Sequence, residues 1–159
     1  MGFRVVKNKE EIQKLSEKIH TLTSKGAMGK ENAEYYKDDK VFYQAPVVIF
    51  ILTQKSIPTT FPIYFSFLPL MKNINLSDYY WGSADAAIAS QNIALTATAL
   101  GLGTTFIGIA LSLNSDDTML RELGVPDGDE IAACIIVGHP ENKDQIVPSR
   151  KPPRILCRK

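Results

Sequence analysis

The sequence predicts one layered α/β or α+β domain spanning residues 1–159, and three observations carry that expectation. Val47–Leu52 and Ile131–Val137 are continuous apolar runs with a β-branched bias, the pattern of strands covered on both faces. Segments with helical periodicity and helix-start residues are interleaved with them. With 45% hydrophobic and 22% charged residues, 159 residues suffice for one self-supporting core, whereas two full domains would be a squeeze.

Taken in order, Phe3–Val6 reads as a short strand, after which Asn8 caps a helix with apolar positions at Ile12, Leu15, Ile19 and Leu22. From Thr23 to Lys40 the chain turns polar, which predicts a loop with a helical turn at Glu34–Tyr36. Pro46 introduces the central strand Val47–Leu52. The stretch from Gln54 to Tyr80 holds three prolines and many aromatics; its Phe61–Tyr80 part is either a packed excursion or a binding loop. Ser83 is then expected to cap a helix with Asp85 in its first turn, running through Ala86–Leu100 to a stop at Gly101. That helix is alanine-rich and apolar nearly all round, the composition of a buried spine or a subunit interface. Thr104–Ala110 is a second apolar stretch, Asp116 caps a short helix ending near Gly124, and Val125–Asp129 is a turn before the strand Ile131–Val137. The tail Pro148–Arg154 is basic and stiffened by prolines.

Composition excludes several classes of function. Eighteen Lys and Arg against seventeen Asp and Glu leave a net charge of +1, so no global field attracts nucleic acid or an anionic membrane. No uninterrupted apolar run approaches the roughly 18–20 residues of a membrane span, and the N-terminus lacks the apolar centre of a signal peptide, so a soluble, cytoplasmic protein is expected. Cys134 sits in an apolar strand and does not form a CxxC with Cys157, which suits a reduced compartment. His20 and His139 are too far apart for metal-ligand spacing, so no metal site is expected.

No catalytic constellation is visible: there is no GxSxG, no HExxH and no Walker A sequence, and no catalytic side chain is assigned. Gly101-Leu-Gly103 follows a helix, whereas the glycines of a dinucleotide fingerprint follow a strand, so it reads as a cap and a turn. Gly108 interrupts the strand-like run Thr104–Ala110, where a glycine marks either a bulge or close approach by a ligand or another backbone. Arg150, Lys151 and Arg154 form a basic group that is either a solvated tail or a phosphate ligand.

Four segments in order resemble the flavin-dependent nitroreductase family: Phe3–Ile12; Phe42–Ile49; Asp85–Gly108, with Gln91-Asn-Ile93 and Gly101-Leu-Gly-Thr-Thr-Phe-Ile-Gly108; and Leu123–Ile131 leading through Ile136–Glu141 to Pro148-Ser-Arg-Lys-Pro152. The resemblance implies an α+β fold, a nitroreductase-like sheet flanked by helices in a three-layer sandwich. It also implies a homodimer with FMN at the subunit interface, NAD(P)H as reductant, and a nitroaromatic, quinone or similar small molecule as electron acceptor. The cofactor carries the hard chemistry in such enzymes and the protein positions it. By position, Phe106, Ile107 and Gly108 correspond to the backbone segment lying against the isoalloxazine ring, Arg150 to the arginine that pairs with the FMN phosphate, and Lys151 to its assistant.

The sequence departs from the family at its start. Met1-Gly-Phe3 begins where the family's asparagine-glutamine-proline-tryptophan stretch would end, so the chain resembles an N-terminally shortened member without the arginine-serine-x-arginine cluster that holds the phosphate. Each charge-assisted hydrogen bond lost from a phosphate costs about 1.5–3 kcal/mol. Two other expectations follow: a cofactor-free binding or regulatory domain whose Phe61–Tyr80 segment remakes the flavin cleft, or a true start upstream of Met1.

Overall fold

The computed structural model describes residues 1–24, 41–54 and 78–141, together with Ser149 and Pro152. Strand β1 (Gly2–Val6) leads into helix α1 (Lys9–Ser24), and β2 (Val47–Gln54) precedes the long helix α2 (Asp78–Ala99). Strand β3 (Gly103–Phe106), a 3-10 helix (Gly108–Ser115), helix α3 (Asp117–Glu122) and strand β4 (Asp129–Gly138) complete the described elements.

The four strands form one antiparallel sheet in the order β1-β2-β4-β3. The two continuous apolar runs are its two central strands, as their composition predicts. Alternation along β2 assigns its faces: Val48, Phe50 and Leu52 enter the larger core, while Ile51, with Ile49 beside it, enters a smaller one. The larger core holds Leu15 and Ile19 of α1, Leu113 of the 3-10 helix, Leu120 of α3, and Phe42, whose ring meets Phe50 edge-on at 6.5 Å. The smaller core lies under α2, where Ala86 is fully buried against Ile51 and Ile135. Helices therefore cover both faces, and the expected three-layer α+β arrangement is found.

Local chemistry sets the helix ends. Asn8 Oδ1 accepts from the Glu11 N–H at 3.0 Å, and Asp116 Oδ1 accepts from the Met119 N–H at 3.0 Å, so both expected caps are made. Helix α2 stops at Gly101, at φ +72°: the Leu102 N–H donates to Ala97 O at 2.8 Å and the Gly101 N–H to Thr98 O at 3.0 Å. That is a Schellman ending, which requires the left-handed conformation glycine adopts freely.

Four expectations are corrected. Helix α2 begins at Asp78, so Ser83 is inside it rather than its cap, Asp85 lies two turns past the positive end of its dipole, and Asp78–Tyr80 are helical rather than irregular. Bulky aromatics and a glycine in Asp78-Tyr-Tyr-Trp-Gly82 disguised the first turns, since each has low helix propensity. Gly82 instead serves packing, because a Cβ there would meet the Thr53 Cβ at 3.2 Å. Thr23 and Ser24 continue α1, each hydroxyl donating to a carbonyl one turn back. The expected helical turn at Glu34–Tyr36, the rest of the polar loop, the Phe61–Ser77 part of the aromatic segment, and Arg150, Lys151, Arg154 and Cys157 of the tail lie outside the described residues.

Candidate functional site

The strand-to-turn junction after β3 is built by a change of backbone pattern. Phe106 pairs with Ile135 as the last rung of the β3–β4 ladder. The Ile107 N–H still donates to Cys134 O at 2.9 Å, and its own carbonyl accepts from the Ala110 N–H at 3.2 Å, so the chain leaves the sheet and winds into the 3-10 helix. The Ile107 side chain is buried and anchors the junction in the larger core.

Gly108 follows as the first residue of that helix and is exposed. A Cβ placed there would meet no atom within 4 Å, and its φ is not in the left-handed region. Neither packing nor backbone conformation therefore demands glycine at this position, in contrast to Gly101 and Gly82. Its N–H, at the first position of a helix, has no acceptor within that helix. The junction thus presents an unobstructed stretch of backbone with a donor, flanked by a half-exposed Phe106 ring at 50% exposure.

Register places Phe106 at one end of a row that runs across the sheet through Ile135 and Ile49 to Val5. The middle of this row is covered by α2 and both ends are exposed, Phe106 on β3 and Val5 on β1. Helix α2 also turns Ile88 and Leu95 outward, at 62% and 59% exposure, and Leu100 just past its end is 71% exposed. A helix apolar all round with one covered face leaves the other as a surface for association.

Of the five residues expected to hold a cofactor, the structure brings Phe106, Ile107 and Gly108 together at this junction. Within the three, the Ile107 amide is committed to Cys134 O, while the Gly108 N–H, at the first position of the 3-10 helix, has no acceptor within that helix. Arg150 and Lys151 lie outside the described residues. Cys134 is buried, and burial pushes its thiol well above the ordinary cysteine range, so it packs as a small hydrophobe and supplies no thiolate. Among the described residues no three His, Cys, Asp or Glu side chains are grouped so as to hold a metal ion, and no helix is long and apolar enough to cross a membrane.

The sequence alone did not reveal a second feature, a cleft of about 420 Å³ between the start of α1 and the turn before β2. Tyr43 and Gln44 in that turn have φ of +49° and +56°, and the Ala45 N–H donates to Phe42 O at 2.9 Å, a type I′ geometry without the usual Asn-Gly signature.

Comparison with known proteins accords with this geometry. The model of the nitroreductase family matches residues 2–139. Among solved structures, a nitroreductase with bound FMN from Bacteroides fragilis NCTC 9343 superposes with a TM-score of 0.68 at 21% identity, covering 96% of this chain and 71% of that one. A nitroreductase with bound FMN from Desulfitobacterium hafniense DCB-2 gives 0.62 at 24% identity, covering 96% and 69%. An NADPH:FMN oxidoreductase from Vibrio harveyi complexed with NAD+ gives 0.55 at 17% identity, covering 93% and 54%. At these identities the likeness is one of fold. No curated protein matches the chain.

Proposed function

Because the chain belongs to the nitroreductase family, we propose that it is a flavin-dependent oxidoreductase that binds FMN and passes electrons from NAD(P)H to a nitroaromatic, quinone or similar small acceptor in the cytoplasm. The observation that carries this reading is Gly108, a glycine that neither packing nor backbone conformation requires, at an open edge where a planar ring can lie against the main chain.

FMN, when bound, supplies the hydride chemistry. The residues present fit it: the open space at Gly108 admits a ring, the Gly108 N–H is a donor without an acceptor in its own helix, and Phe106 offers an apolar flank. Ile107 positions this edge, since its buried side chain and its bond to Cys134 O fix the backbone on either side of Gly108. A preformed edge of this kind loses little conformational entropy on binding. Arg150, assisted by Lys151, is assigned to the phosphate, whose charge of about −1.5 to −2 suits a guanidinium fork.

A homodimer accompanies this reading. Ile88 and Leu95 recur seven residues apart on the outer side of α2, with the exposed Leu100 just past its end, and burying such side chains contributes roughly 1.5–3 kcal/mol each. The test of the function is the visible absorption spectrum of the purified protein before and after adding FMN and desalting. A retained flavin band that bleaches with NADH or NADPH is the expected result. A folded protein that retains no flavin would overturn it and favour the cofactor-free domain.

A further inference from the structure

We propose that Asn114 is a positioning residue for the flavin edge: acting through the 3-10 helix, it fixes the Gly108 backbone against which a ring lies. This role rests on the function proposed above. The helix from Gly108 to Ser115 is weak by itself, because it runs for eight residues in a geometry that rarely exceeds three or four, and its glycine adds backbone freedom. The edge at Gly108 is therefore only as rigid as the anchors of the helix.

Hydrogen bonds to β4 hold both ends. At the start the Ile107 N–H donates to Cys134 O at 2.9 Å, and near the finish Asn114 takes both backbone groups of Ile131, at 2.8 and 2.9 Å. Residues three apart on a regular strand face opposite ways, but the extra residue Ala132 lets Ile131 and Cys134 enter the same larger core as Ala110 and Leu113 of the helix. The other polar side chains of the helix do not reach the sheet. The Ser115 hydroxyl donates locally to Ser112 O at 2.7 Å, and the buried Ser112 hydroxyl makes no hydrogen bond. Among the described residues, Asn114 thus supplies the one side-chain hydrogen-bonded tie from this helix to β4. Without it, a ring docking at Gly108 must order the backbone as it binds, which lowers affinity.

Fluorescence titration of the full chain with FMN tests this on wild type, Asn114→Ala and Asn8→Ala, at a temperature where all are folded. Asn8→Ala removes the cap of α1 and so lowers stability away from the junction. Asn114→Ala should weaken FMN binding about fivefold or more, while Asn8→Ala stays within about twofold of wild type. In the flavin-free proteins, the Ile107 and Ala110 amides should exchange with solvent faster in Asn114→Ala than in Asn8→Ala, a local loosening that a general loss of stability does not produce. If Asn114→Ala does not fold, Asn114→Asp, which keeps only the acceptor for the Ile131 N–H, should show the same pattern. Wild-type affinity in the Asn114 variant, or equal weakening by Asn8→Ala, would overturn this role and leave the flavin reading intact. A folded wild type that binds no FMN would overturn both.

Discussion

The side-chain amide of Asn114 forms a two-point grip on the backbone of Ile131, its Nδ2 donating to the Ile131 carbonyl at 2.8 Å and its Oδ1 accepting from the Ile131 N–H at 2.9 Å. It reproduces the pattern of a strand partner where β3 has already left the sheet. The grip lies beside an irregularity in β4, since Ile51 pairs with Ala133 and Leu52 with Ile131, leaving Ala132 as the extra residue. Asn114 thus ties the 3-10 helix, and through it the Gly108 junction, to a central strand.

Asn114→Ala should therefore destabilise the fold by about 2–3 kcal/mol, because two part-buried backbone groups lose their partner at once. Urea denaturation measures this. Asn114→Asp should also destabilise, since it keeps the acceptor for Ile131 N–H but sets a carboxylate oxygen against the Ile131 carbonyl.

The turn before β2 should be improvable. Tyr43 and Gln44 occupy left-handed conformations that cost a non-glycine residue roughly 1 kcal/mol or more each, and Asn-Gly adopts the same type I′ turn with little strain. The double variant Tyr43→Asn/Gln44→Gly is expected to raise the melting temperature by several degrees. An unchanged or lowered value in a thermal scan would show that side-chain contacts of Tyr43 or Gln44 outweigh the strain.

Acid sensitivity should concentrate on Asp116. Its carboxyl is held below the ordinary value of 3.8, chiefly by the hydrogen bond from Lys18 and then by the Met119 N–H. A depressed folded-state value means its contribution is present above about pH 4 and is lost as pH falls through the lower folded value. Melting temperature followed from about pH 6 to pH 3 should drop at the acid end, and Asp116→Asn, which keeps an acceptor for the cap, should flatten that part of the drop.

Arg150→Ala should weaken FMN binding at least about tenfold, the loss of one charge-assisted bond to phosphate. Flavin fluorescence titration reads it, and an unchanged dissociation constant would remove Arg150 from the site.

Where a segment's own chemistry decides its structure, the sequence was a sufficient guide. The two central strands, the Asn8 and Asp116 caps, the Gly101 stop and the burial of Cys134 each follow from local residue types, and the structure has them all. Tertiary context decided the rest. The first turns of α2 are held although their aromatics and glycine disfavour helix, because Gly82 lets the helix approach Thr53. The type I′ turn at Tyr43–Gln44 has no sequence signature because its flanking anchors, the buried Val41 and Phe42, impose it. Asn114 looks like an ordinary polar residue in a sequence, and only the fold shows that it completes a sheet. Gly108 was legible as a glycine interrupting a strand-like run, but its lack of any structural requirement became visible only with the surrounding atoms in place.

The central claim is that a flavin ring lies against the backbone at Gly108, and FMN titration of wild type against Gly108→Val tests it most directly. The open space around this position means the valine variant should fold, with an unchanged circular dichroism spectrum. The expected result is FMN binding in the wild type that is abolished in the folded variant. Equal dissociation constants for the two proteins would contradict the account, because they would show that no ring approaches the chain there.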